Sequence, residues 1–213
     1  MIPALARSPK LLLPAVILVV ALAAGGMYGL RGWLVEQDLS VEGSKRDTVS
    51  HLPDALDAYL TRAGFQVLSR PSSFPDASLR NRDDRPARLI GSQNRWVLVY
   101  CWFSNCLPCI KELPNLAELA PAALKRGLRI VSLCVQANDP GEVRDLVKLP
   151  EDSPLPVLYD PTGKVRRALE IQVSPTVFLV DPQGWIVART QGLHPKKESL
   201  NQLLDALPAP AQQ

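Results

Sequence analysis

A chain of 213 residues is about one and a half times the usual domain size, so one compact domain with attached segments is expected and a large multidomain enzyme is excluded. Hydrophobic residues at 46% against 21% charged supply enough apolar surface for a core, which excludes disorder over most of the length. The net charge of +3 arises in the first 34 residues, where Arg7, Lys10 and Arg31 meet no acid; from Val35 onward 21 basic residues face 21 acidic ones. A neutral body lacks the basic footprint that phosphate backbones require, and nucleic acid is excluded as a partner.

Leu11 to Leu30 is a stretch of twenty uncharged residues. As a helix it would span roughly 30 Å, the thickness of a bilayer core. Arg7 and Lys10 precede it, so the positive-inside bias holds the N-terminus in the cytoplasm and exports the body. The alternative is a cleaved signal peptide ending near Ala21-Leu22-Ala23, and it exports the body equally. Apolar character continuing through Met27, Tyr28, Leu30, Trp33 and Leu34 favours an uncleaved anchor.

Gln37 to Val49 is polar and reads as a linker. Leu56, Tyr59, Leu60 and Ala63 recur at helical spacing between Pro53-Asp54 as a start and Gly64 as a stop, predicting a short helix. Arg70 to Arg88, with its charge cluster RNRDDRPAR, reads as loop with at most a weak strand pair, and 35–87 is treated as an extension. Trp96–Trp102 and Leu128–Val135 are continuous apolar runs typical of strands covered on both faces. Between them Ile110, Leu113, Ala117, Ala120 and Leu124 mark a helix, so the unit is a parallel strand–helix–strand crossover. Glu142–Leu149 and Lys164–Glu170 predict short helices. Thr176–Val180 and Trp185–Thr190 predict a hairpin around Asp181-Pro182-Gln183-Gly184, and Leu200, Leu203, Leu204 and Leu207 mark a last helix before a frayed tail.

Two of the four cysteines form Cys106-Leu107-Pro108-Cys109, where the first buried strand meets its helix. A thiol there faces unpaired backbone N–H groups and the positive end of the helix dipole, which favour the thiolate. Cys106 is therefore the candidate nucleophile. Cys109, one turn on, is the candidate resolving thiol that attacks a mixed disulfide and releases the partner. A zinc site would need two more ligands, and the remaining His51, His194, Cys101 and Cys134 show no paired ligand spacing. A purely structural bridge across one helical turn closes almost no loop and stabilises little. Cys101 and Cys134 fall on the two buried strands, where they read as core residues, with a second redox pair or bridge as the alternative.

The segment VLVYCWFSNCLPCIKELPNL is similar to the active-site stretch of thioredoxin-fold proteins. The closest resemblance is to membrane-anchored thiol–disulfide oxidoreductases of the TlpA-like group, which includes proteins of cytochrome c maturation. It covers about residues 88–208 and rests also on Glu112 and Pro114 of a Cys-x-x-Glu-x-Pro pattern, on Pro161 and Gly163, and on Asp181-Pro182-Gln183-Gly184. The resemblance implies an α/β thioredoxin-like fold, a central mixed β-sheet flanked by helices, preceded here by one transmembrane helix. It implies that Pro114 kinks the active-site helix. It places a cis proline at Pro175 against the cysteines, within Ser174-Pro175-Thr176, leaving the backbone of Ser174 free to pair with substrate. Asn105 stands where the group usually has tryptophan, and Tyr100 where many members bury an acid. Glu112 is the candidate proton acceptor for Cys109 in its place.

The expected organisation is a stub and anchor over 1–34, an extension over 35–87, a thioredoxin-like domain over 88–208 and a tail over 209–213. The expected protein sits in a bacterial inner membrane by a single pass, with its catalytic domain in the periplasm. Cys106 and Cys109 cycle between dithiol and disulfide, reducing disulfide-containing protein substrates with electrons from a membrane dithiol donor, without a cofactor. The alternative is a copper-binding or docking module using Cys106, Cys109 and His194 without turnover.

Overall fold

The computed structural model describes residues 52–89, 95–136, 140–192 and 197–208. The proposed anchor, the linker up to His51, His194 and the tail from residue 209 lie outside them. Among the described residues no helix is long and apolar enough to cross a membrane.

Helix α1 (Asp54–Arg62) starts after Pro53, and its chain reverses at Gly64, whose φ of 80° is left-handed backbone that a side chain would strain. Strands β1 (Gln66–Ser73), β2 (Leu79–Asn81) and β3 (Pro86–Ala87) follow. The crossover comes next as β4 (Trp96–Phe103), α2 (Leu107–Lys125) and β5 (Leu128–Gln136). Helix α3 (Pro140–Leu146), β6 (Val157–Tyr159), α4 (Lys164–Ala168), the hairpin β7 (Thr176–Val180) and β8 (Trp185–Gln191), and α5 (Lys197–Ala206) complete the order.

All eight strands make one mixed sheet in the order β1-β8-β7-β4-β5-β6-β2-β3. The crossover pairs β4 with β5 in parallel, Trp96 opposite Leu128 and Cys101 opposite Leu133, and β6 continues the parallel set. β7 runs antiparallel to β4 and carries β8. The period-two pleat then splits β4 between two cores. Trp96, Leu98, Tyr100 and Trp102 face the core built with α1, α2, α3 and α5, while Val97, Val99 and Cys101 face the one closed by α4 and the segment around Phe74 to Leu89.

One expectation changes. The buried stripe of α2 is Cys109, Leu113, Leu116, Ala120 and Ala123, whereas Leu124 is 42% exposed and Ile110 and Ala117 lie at its margin. The helix is turned by about one residue because Cys109 itself takes a core position. Residues 54–87 contribute a helix to the main core and three strands to the same sheet, and Val49–Gln213 forms one compact unit. The charge cluster forms the weak strand pair expected of it, β2 against β3, and is tied down: Arg82 donates to the carbonyls of Leu149 (2.8 Å) and Pro150 (2.9 Å), and Asn81 Oδ1 accepts the N–H groups of Asp83 and Arg85. Cys101 and Cys134 are free thiols on opposite faces of the sheet, which excludes a bridge between them. Adjacent strands bring their backbones together, but Cys101 pairs with Leu133 and Cys134 with Trp102, one step out of phase in the pleat.

Candidate active site

β4 ends at Phe103, and a turn closed by the Cys106 N–H to the Phe103 carbonyl (2.9 Å) delivers the chain to α2. Cys106 is the N-cap: its carbonyl accepts the N–H of Ile110 (3.1 Å), and its sulfur accepts the N–H of Cys109 (3.3 Å). One of the unpaired donors of the first turn is thus spent on sulfur, and no acid stands in that turn to oppose a negative charge. Pro108 in the first turn costs no hydrogen bond there.

Cys106 and Cys109 are joined as a disulfide with Cα atoms 5.3 Å apart. Cys106 is half-buried while Cys109 is 0% exposed, so an incoming group reaches the leading sulfur and the trailing one is enclosed. This asymmetry is what an attacking and a resolving thiol require. Leu107, between them, is 64% exposed.

The segment before β7 meets the cysteines from the other side. Ser174–Pro175 is a cis peptide, Pro175 is buried, and Thr176 Oγ1 donates to the Val173 carbonyl (2.6 Å). The β4–β7 ladder stops at Cys101 opposite Thr176. Beyond it Ser174 Oγ takes over as acceptor for the Phe103 N–H (3.1 Å), and the same oxygen lies 3.2 Å from Cys109 Sγ. The sequence marked Ser174 for its backbone; its hydroxyl contact escaped notice because only the tertiary approach of α2 to this turn creates it. The sign available was a polar side chain directly before the proline.

Glu112 lies on the turn after Cys109. Its carboxylate accepts from Asn115 Nδ2 at 3.4 Å. Burial first, and the Glu112 charge second, push the Tyr100 hydroxyl well above its ordinary range. α2 continues as helix through Pro114 and Pro121. Each proline withholds a hydrogen bond from the preceding turn. Of the aromatics before Cys106, Trp102 is core and donates through Nε1 to Ser132 Oγ (2.8 Å), while Phe103 lies under the Arg166 guanidinium at 4.8 Å from the ring centroid. Val173, beside Ser174, is 44% exposed. The copper alternative depends on His194, outside the described residues.

The family model described as AhpC/TSA matches residues 72–189, which contain both cysteines and the Ser174-Pro175 turn. The thiol-disulfide oxidoreductase ResA of Geobacillus thermodenitrificans is 30% identical over 139 residues, 64% of this chain and 76% of that protein. ResA of Bacillus subtilis is 27% identical over 130 residues, 61% of this chain and 72% of that one. Among solved structures, the Chlorobium tepidum protein described as a thiol:disulfide interchange protein DsbE shares the fold, with a TM-score of 0.54 at 23% identity over 64% of this chain and 96% of its own. The exposed lipoprotein thioredoxin Etrx1 of Streptococcus pneumoniae matches with a TM-score of 0.51 at 24% identity over 65% and 100%. With the matched span covering more than half its length and the paired cysteines capping its crossover helix, the chain belongs to the AhpC/TSA family, in the thioredoxin-like group of TlpA type.

Proposed function

We propose that this protein is an exported, membrane-anchored thiol–disulfide oxidoreductase that reduces disulfides in particular extracytoplasmic proteins. The observation that carries the exchange chemistry is the Cys106–Cys109 disulfide at the start of α2, with one sulfur reachable and capped by a backbone N–H and the other enclosed. In the reducing direction the Cys106 thiolate attacks a substrate disulfide, forming a mixed disulfide and expelling one substrate thiolate. Cys109 then attacks Cys106, the second substrate thiolate leaves, and two electrons have passed to the substrate. A dithiol donor in the membrane restores the pair. The Ser174 backbone and the exposed Leu107 and Val173 are the surface on which the substrate chain lies, Pro175 and Thr176 hold that turn in place, and Glu112 receives the proton of Cys109. Leu11–Leu30 and the oxidising compartment outside support an anchored reductase in the periplasm, where cytochrome c maturation is one process that needs such a reductant.

The test is covalent capture. Full-length Cys109→Ala expressed in cells is expected to hold a substrate on Cys106 as a complex that dithiothreitol dissolves, and Cys106→Ser is expected to hold none. Equal capture by both variants overturns the assignment of the attacking thiol. A reduction potential as high as that of strong disulfide donors overturns the reducing direction. Release of the full chain from membranes by alkaline carbonate overturns the anchor.

A further inference from the structure

The reading above leaves unexplained how an enclosed sulfur becomes a nucleophile. Cys109 is fully buried, and burial disfavours a thiolate. Among the described residues, the side-chain hydroxyl bonded to it is that of Ser174, at 3.2 Å. The direction of that bond follows from bookkeeping of protons. Cys109 is in a disulfide and carries no hydrogen, so Ser174 is the donor. A lone pair of the Ser174 oxygen is occupied by the Phe103 N–H at 3.1 Å, which fixes the oxygen and leaves its single proton for the sulfur.

We propose that Ser174 is a catalytic residue of the resolving step, its hydroxyl donating to Cys109 Sγ and stabilising the thiolate that attacks the mixed disulfide. This rests on the dithiol cycle proposed above. In the step concerned the Cys109 thiol gives up its proton to Glu112, the thiolate forms a bond to Cys106 Sγ, and the bond from Cys106 to the substrate sulfur breaks. The substrate sulfur leaves with the electron pair and takes a proton from water. A hydrogen bond to the charged form is lost if the hydroxyl is removed, and the thiolate becomes about tenfold scarcer at neutral pH. The thiolate that does form is about threefold more nucleophilic, because reactivity rises with basicity. The resolving step therefore slows by about threefold at neutral pH and quickens by about threefold at a pH high enough to ionise Cys109 with or without the hydroxyl.

The experiment follows the reduced full chain in detergent against dithiobis-nitrobenzoate, which releases one chromophore when Cys106 attacks and a second when Cys109 resolves. Ser174→Ala and Ser174→Val are expected to slow the second release relative to the first at neutral pH and to cross over to a relatively faster second release at high pH. Ser174→Thr, which keeps the hydroxyl, is expected to behave as the parent. The Thr and Val variants share a shape, so an altered fold would affect both alike. An unchanged pH profile of the second release in the Ala and Val variants overturns the proposal, as does an equal change in both releases or the same change in the Thr variant. Absence of any second release in the parent overturns instead the dithiol cycle beneath it.

Discussion

Reduction of the Cys106–Cys109 disulfide leaves the chain with four thiols whose reactivities the structure separates by orders of magnitude. Burial pushes the Cys134 thiol up to about 12, with the Glu142 charge adding to it and a backbone hydrogen bond at Gln136 opposing. Burial, and the neighbouring Cys134, likewise raise Cys101 far above the ordinary thiol range. At pH 8 a thiol with that value of about 12 is ionised to about one part in 10⁴, against about a quarter for an unperturbed thiol. Only the thiolate attacks an alkylating agent, so Cys134 reacts more than about a thousandfold more slowly than an ordinary cysteine, before its enclosure slows it further. Cys106, half-buried and capped by an N–H, is expected to react fastest of all. Iodoacetamide added at pH 8 to the reduced protein, with mass spectrometry of quenched samples, is expected to show a first adduct on Cys106. Cys101 and Cys134 are expected to remain unmodified until denaturant is added. Modification of Cys134 within tenfold of the rate at Cys106 in the folded chain would falsify the assignment of the two pairs.

The same thiols make the fold sensitive to alkali. Their folded values lie above the unfolded one, so the contribution of Cys134 is whole below pH 9 and is lost as pH rises towards about 12, by on the order of 4 kcal/mol. Urea titrations at rising pH are expected to show falling stability above pH 9, and a flat profile to pH 11 contradicts the burial. Leu60 on α1 is fully enclosed in the main core, so Leu60→Ala is expected to cost about 2–5 kcal/mol in the single unfolding transition of the whole domain. A variant as stable as the parent, or a separate early transition, shows that residues 54–87 do not share that core.

Much of this protein is local in origin and therefore readable along the chain. The apolar runs of β4 and β5, the helix between them and the hairpin of β7 and β8 follow from periodicity and turn chemistry, which depend on neighbours in sequence. The placing of Cys106 as N-cap is local too, since it needs only a strand that ends and a helix that begins. Other features arise where distant segments meet. The strands of residues 66–87 include prolines and charges, β2 and β3 are only three and two residues long, and β1 and β2 exist because β8 and β6 offer them edges. The opposite facing of Cys101 and Cys134 depends on the register of two strands, a shift of one residue that composition does not encode. The hydroxyl of Ser174 reaches Cys109 across a separation of 65 residues, because the end of the β4–β7 ladder leaves a backbone N–H that draws the serine oxygen beside the sulfur. Sequence determined which sulfur caps the helix; tertiary contact decided what stands behind the other, since hydrogen bonds between remote segments follow from packing and not from spacing.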